Sequence, residues 1–310
     1  MELIKIAGGG YTAVINLSRG ANCISLKNEE YGAKLLREPD YGNFDNPYLY
    51  GMPILFPVNR ISGGCFEFEG REYRFPINEP STGCHLHGEL HATPFEAREV
   101  SESRVLCAYR AESGEYLGFP HAFEITIEYS LGEGGMIHVT EVKNLSGENM
   151  PCMLGFHTTF NSGFAGGGEV RAFADIAEEY RRNMKNYLPT GEKPSFDDIS
   201  NLINSGELSP YGRAISRHYR AGRSGLMTLE NLERGLKIVY ENDEKFAFRL
   251  IYNGAGDEYI CLEPQNCAAN APNAPFGRVE GGFDFIRPGE SKKYISKIYL
   301  RRTNDEDHKA

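Results

Sequence analysis

From Phe123 onward the chain alternates with a period of two. Phe123, Ile125, Ile127, Tyr129 and Leu131 are apolar, and Glu124, Thr126, Glu128 and Ser130 between them are polar. Successive side chains of an extended strand point to opposite faces, so this pattern buries one face and wets the other. Gly132-Glu133-Gly134-Gly135 then supplies a turn, and Met136 to Val142 returns, which predicts a hairpin over 123–142. Phe66-Glu67-Phe68-Glu69-Gly70-Arg71-Glu72-Tyr73 predicts a second, tight hairpin. Comparable runs predict strands at 12–16, 22–27, 66–68, 72–75, 104–111, 236–241, 246–253, 259–263 and 293–300. Helix is scarce. Residues 171–187 have a helical composition with only Phe173, Ile176 and Tyr180 at helical spacing, and 196–206 is expected as one short helix. Many short antiparallel strands without alternating helices predict an all-β fold, a large sandwich or barrel, with 1–310 as a single domain.

The formal net charge of −10 argues against non-specific binding to nucleic acid or to an anionic membrane. Seven cysteines are scattered without a CxxC pair, so a zinc ribbon or thioredoxin-like site is not expected, and most read as small buried hydrophobes. Met1 to Ile6 carries no signal-like apolar run and no segment is apolar enough to span a bilayer, so a cytoplasmic, reduced protein is expected. Gly8-Gly9-Gly10 has neither a βαβ context nor a following Gly-Lys-Ser/Thr, and no Gly-x-Ser-x-Gly elbow occurs. Nucleotide binding and serine hydrolase chemistry have no support.

Four polar segments interrupt or close the predicted strands: Pro57-Val58-Asn59-Arg60, His85-Leu86-His87-Gly88, Gly155-Phe156-His157-Thr158-Thr159-Phe160-Asn161 and Cys261-Leu262-Glu263-Pro264-Gln265. Together they hold the groups needed for general acid/base chemistry on a polar, sugar-sized substrate. His157 ends an apolar run; it is either a proton-transfer group or a satisfied core histidine. Glu263 follows Tyr259-Ile260-Cys261-Leu262. A carboxylate there is costly unless paired or used. Pro264 is expected to end the strand and leave Glu263 at a rim. Prolines 53 and 57 impose a rigid path on Asn59 and Arg60, whose guanidinium either holds a substrate oxygen or closes a strand-end ion pair. His85 and His87 would share one face of a strand, and with His157 and Asn161 this spacing resembles, imperfectly, the metal motif of cupins.

In order along the chain, the segments resemble those of the aldose 1-epimerase (galactose mutarotase-like) family. The resemblance is carried by Gly51-x-Pro53 to Asn59-Arg60, by Leu86-His87-Gly88 with Thr93-Pro94-Phe95, and by Gly155-x-His157-x-x-Phe160-Asn161. It continues through Pro189-Thr190-Gly191-Glu192, Cys261 to Gln265 with Asn270-Ala271-Pro272-Asn273, and Ile286-x-Pro288-Gly289-Glu290. It implies a large antiparallel β-sandwich and interconversion of the α and β anomers of a free hexose without metal or organic cofactor. Glu263 would be the base at the anomeric hydroxyl and His157 the acid at the ring oxygen. Arg60, His87 and Asn59 would bind the sugar. A bell-shaped pH profile with a limb in the histidine range follows. The partner is then a small sugar, and the protein a monomer or homodimer. A phosphosugar epimerase, a non-catalytic sugar binder and a cupin-like metal enzyme are the alternatives. Two positions depart from the family. His91 stands where many members have Arg, and Ile215-Ser216-Arg217-His218-Tyr219 lacks an expected Asp. Arg217-His218 is either a basic pair suited to an acidic or phosphorylated sugar, or a surface feature.

Overall fold

The computed structural model describes residues 2–40, 45–254 and 258–303; the C-terminal residues 304–310, most of the charged tail, lie outside that range. It is built almost wholly of antiparallel strands. An eight-stranded sheet runs in the order Glu96–Val100, Arg104–Ala111, Phe123–Gly132, Gly135–Asn144, Ser291–Arg302, Leu236–Asn242, Leu226–Asn231, Val170–Ala174. A seven-stranded sheet has the order Ile176–Glu179, Ser216–Ala221, Phe248–Tyr252, Tyr259–Gln265, Gly155–Phe156, Ile54–Leu55, with Thr159–Asn161 also on Tyr259–Gln265. A four-stranded sheet, Leu3–Gly8 to Ala33–Lys34, packs against the strands Arg104–Ala111 and Phe123–Gly132.

Period-two burial builds the core. In Phe123–Gly132 the five apolar positions are buried, and the strand pairs residue for residue with Gly135–Asn144. The short hairpin is Cys65–Phe68 on Arg71–Arg74. The two large sheets meet through side chains of alternate residues. Phe156 lies against His138 of the eight-stranded sheet with ring centroids 4.5 Å apart, Phe160 against Tyr240 at 5.6 Å, and Thr158 Oγ1 is 3.0 Å from the Tyr240 hydroxyl. The architecture is therefore the sandwich, with one continuous apolar core between its layers. Six of the seven cysteines are buried and all are free.

Residues 171–187 are not helical. Val170, Ala172, Ala174 and Ile176 are buried and Arg171 and Phe173 are not, which is a strand period. The chain leaves the eight-stranded sheet at Ala174 and enters the seven-stranded one at Ile176, crossing between layers at Asp175. The expected helix at 196–206 is present as Asp198–Ser205. Asp197 caps it by accepting from the Ser200 amide at 3.0 Å, and Gly206 closes it at φ +79°.

Candidate active site

Because Phe156, Thr158 and Phe160 point into the sandwich, strand alternation sends His157 to the outer face of the seven-stranded sheet. Glu263 is on that face too. Across the sheet, Glu263, Leu250 and His218 are direct partners in one row, and Cys261, Tyr252 and Ser216 form the next. The strand does not end at Pro264; it runs through Gln265, and Glu263 is 0% exposed rather than at a rim. The neighbouring strand explains why proline is tolerated there. The amides of Leu262 and Asn266 reach Thr158 O and Leu154 O, both at 2.9 Å. Pro264, on the same edge between them, faces the break between Gly155–Phe156 and Thr159–Asn161, where no ladder bond is needed. That break is the segment that delivers His157.

His157 Nε2 lies 3.1 Å from Glu263 Oε1. The contact is poorly directed: Oε1 accepts no aligned hydrogen bond, and His157 Nδ1 has no partner among the described residues. The other carboxylate oxygen, Oε2, accepts from Gln265 Nε2 at 3.1 Å, and Gln265 Oε1 accepts from Asn59 Nδ2 at 3.0 Å. Asn59 is fully buried. Its Oδ1 takes the Arg60 amide and its own N–H donates to His87 Nδ1, so its side chain braces the site from beneath. Burial pushes the Glu263 carboxyl up to about 8, against the hydrogen bond from Gln265 and the charges of Arg182 and Arg60. Burial takes His157 down to about 3, helped by Arg60. Desolvation outweighs mutual attraction, so at neutral pH the resting pair holds its one proton on Glu263 and His157 is neutral. The opposite distribution, an ionised Glu263 beside a protonated His157, which the base and acid roles implied by the resemblance call for, is the one burial disfavours.

His87 and Gly88 are zipped to Pro57–Asn59. Phe56 N–H donates to His87 O at 3.3 Å and His87 N–H to Asn59 O at 3.0 Å. His87 sits at φ +63°, outside the strand Cys84–Leu86. It therefore does not share a face with His85, whose Nδ1 bonds to Pro76 O at 2.8 Å. Since His87 Nδ1 accepts the Asn59 amide, the ring carries its proton on Nε2 and presents a donor. Its ring is 5.7 Å from that of His157, and Tyr48 packs on His87 (4.8 Å), His91 (4.7 Å) and His157 (6.0 Å). Arg60 does form an ion pair, bidentate to Glu79 at 2.6 and 2.7 Å, with its guanidinium 4.7 Å from the Tyr187 ring. Tyr187 also lies 5.8 Å from the guanidinium of Arg182, so it stands between the two arginines.

The Arg217-His218 pair is split by strand alternation. Arg217 points to the inner side, ion-paired with Glu179 and Asp197 at 2.7 Å each. His218 is buried on the Glu263 face. Tyr48, Arg182, Tyr187 and the bracing role of Gln265 have no signal in a linear pattern, because each is brought in from a different segment. A metal would find three ligand atoms within 4.8 Å in His157, Cys261 and Glu263. The set fits a cation poorly. Burial holds the Cys261 thiol well above its ordinary range, Thr159 Oγ1 lies 3.4 Å from its sulfur, and a buried thiol is not a thiolate ligand.

The sequence profile of the family described as Aldose 1-epimerase matches residues 2–298. Among curated proteins, the chain is 23% identical over 257 residues to the Escherichia coli protein YphB, covering 81% of this chain and 82% of that one. It is 23% identical over 287 residues to the galactose mutarotase of Rattus norvegicus, covering 81% and 78%. A solved galactose mutarotase-like protein from Clostridium acetobutylicum superposes with a TM-score of 0.89 at 29% identity, over 97% of this chain and 95% of that one.

Proposed function

Since the chain belongs to the aldose 1-epimerase family, we propose that it is a mutarotase, interconverting the α and β anomers of an aldose by proton transfer at Glu263 and His157. The observation that supports this best is the contact of a buried carboxyl with a buried imidazole, each with an unpartnered polar atom. Buried polar atoms in native structures are paired, so these two wait for a ligand's hydroxyls.

The proton count closes over the cycle. Ring opening starts from the ion-pair form. Glu263 takes the proton of the anomeric hydroxyl, His157 gives its proton to the ring oxygen, and the C1–O5 bond breaks as C1=O forms. The pair is then neutral, which is the form that burial favours, so the site is matched to the open-chain aldehyde. After rotation about C1–C2, Glu263 returns the proton to O1, His157 takes the O5 proton, and the ring closes on the other face. The resting neutral pair converts to the opening form by one proton crossing the 3.1 Å contact. Each positioned proton transfer contributes roughly 10²–10⁴-fold. His87 offers an Nε2–H to a sugar oxygen, Arg60 is held in place by Glu79, and Asn59 acts as a positioning residue through Gln265.

The test is polarimetry on freshly dissolved α-D-galactose and α-D-glucose. Wild type accelerates equilibration; Glu263→Gln and His157→Ala each lower kcat by at least 10²-fold without unfolding the protein. Retention of full rate in either variant sinks the assignment.

A further inference from the structure

Two strands from Glu263 lies a cavity of about 500 Å³, lined by Arg182, Ser216 and His218 together with Tyr180, Glu179 and Asp197. Its polar groups are unusual. Arg182 is only 9% exposed, yet no carboxylate lies within ion-pair distance of it among the described residues; its guanidinium makes one side-chain hydrogen bond, to Ser216 Oγ at 2.8 Å. The two other arginines that line the cavity are neutralised: Arg181 pairs with Glu192 at 3.1 Å, and Arg217 takes up both carboxylates of the wall, Glu179 and Asp197. His218 is 1% exposed and neither ring nitrogen has a hydrogen-bond partner. A buried cation without a counter-ion carries a large desolvation penalty and is retained where something pairs with it.

The register says where that partner belongs. His218 is in the same row and on the same face as Glu263, two strands away, which is roughly 10 Å along the sheet. Arg182 reaches toward the pair closely enough to stabilise ionised Glu263. An aldose with its anomeric carbon at Glu263 and His157 would put its far end at Arg182. We propose that Arg182, Ser216 and His218 form a subsite for a singly charged oxyanion at that far end, so that the preferred substrate is an acidic aldose of the hexuronate class. This deepens the mutarotase reading and rests on it. The charge count favours a carboxylate over a phosphate dianion. Arg182 is the single unpaired cation of the cavity among the described residues, and burial keeps His218 neutral. A planar guanidinium fork matches a carboxylate in two parallel hydrogen bonds, and Ser216 and His218 can satisfy the remaining lone pairs.

The test compares mutarotation of α-D-galacturonate with α-D-galactose, and of glucose 6-phosphate with glucose, for wild type, Arg182→Gln, Arg182→Lys and Ser216→Ala. Wild type is expected to show kcat/KM at least tenfold higher for galacturonate than for galactose, and no preference for the phosphorylated sugar over its parent. Arg182→Gln lowers the galacturonate-to-galactose ratio at least tenfold, chiefly through KM. Arg182→Lys retains part of the ratio, and Ser216→Ala, the mildest change, lowers it about threefold. Calorimetric titration with galacturonate reads the subsite without turnover: wild type binds it more tightly than galactose and Arg182→Gln does not. That arm holds even where no sugar is turned over, so failure of the mutarotase reading and failure of the subsite are distinguishable. Equal ratios in wild type and Arg182→Gln, or a preference for phosphate over carboxylate, overturn the proposal.

Discussion

At the scale of single residues, the site is governed by desolvation. A histidine with its ordinary pKa would give a limb of the rate profile near pH 6–7. Here His157 takes a second proton onto the pair only near pH 3, and Glu263 gives up the last one near pH 8. Activity needs the one-proton pair, so kcat/KM is expected to stay level through pH 6–7 and to fall as pH rises through about 8; these values belong to the pair as a whole. Gln265 sets the position of that limb. It donates to Glu263 Oε2 and so favours the ionised carboxylate. Removing the donor in Gln265→Met leaves the protonated form relatively better, and the basic limb should move up by about one pH unit, equivalent to ~1.4 kcal/mol. A pH–rate series on the two proteins checks this; a merely structural role would lower the rate and leave the limb in place. Glu263 and His157 were legible because each is a polar residue joined to an apolar run. Arg182 was not, since nothing local distinguishes it from Arg181 beside it; one is buried and unpaired, the other exposed and paired with Glu192.

At the scale of elements, strand alternation was readable wherever an apolar and a polar face alternate cleanly. The hairpin at 123–142 came out on that signal, the strand at 259–263 came out instead as an unbroken apolar run that the structure extends to Gln265, and 171–187 came out on neither. Its alternation is carried by small residues, Ala172 and Ala174, which helices also favour, and it spans a jump between sheets. The same alternation that puts Glu263 and His157 together separates Arg217 from His218, a consequence that follows from strand register rather than residue type. The loops contribute through backbone contacts. Gly88 has φ +62°, and a Cβ there would stand 1.8 Å from Phe56 O, against backbone that cannot yield cheaply. Gly88→Ala is therefore expected to cost ~3 kcal/mol or more in urea unfolding, as strained backbone and overpacking add. It should also displace His87, so its KM rises even under conditions where the variant is folded. An unchanged urea midpoint would show that the 56–59 and 87–88 segments are not locked together.

At the scale of the whole molecule, the sheets are closed by residues far apart in sequence. Ser291–Arg302 lies between Gly135–Asn144 and Leu236–Asn242, in the middle of the eight-stranded sheet. Sequence showed that this segment is a strand; its central place could not be read, because pairing between distant strands leaves no local pattern. Ending the chain after Thr303 is expected to leave Tm within about 2 °C of the full protein. Ending it after Gly289 should leave no cooperative unfolding transition by calorimetry, because two sheet halves lose their common partner. A cooperative transition in the shorter chain would mean that the halves hold without it. That placement also sets a schedule for biosynthesis. As the ribosome extends the chain, Gly135–Asn144 and Leu236–Asn242 emerge first, each with an open hydrogen-bonding edge and an apolar face. Neither edge can be capped until more than forty further residues have been translated past Asn242 and the last described strand arrives. Through that stretch of translation, at roughly 5–20 residues per second, the nascent polypeptide holds two unpaired half-sheets. For this protein the interval in which a chaperone matters most is the one between the emergence of Asn242 and that of Ser291.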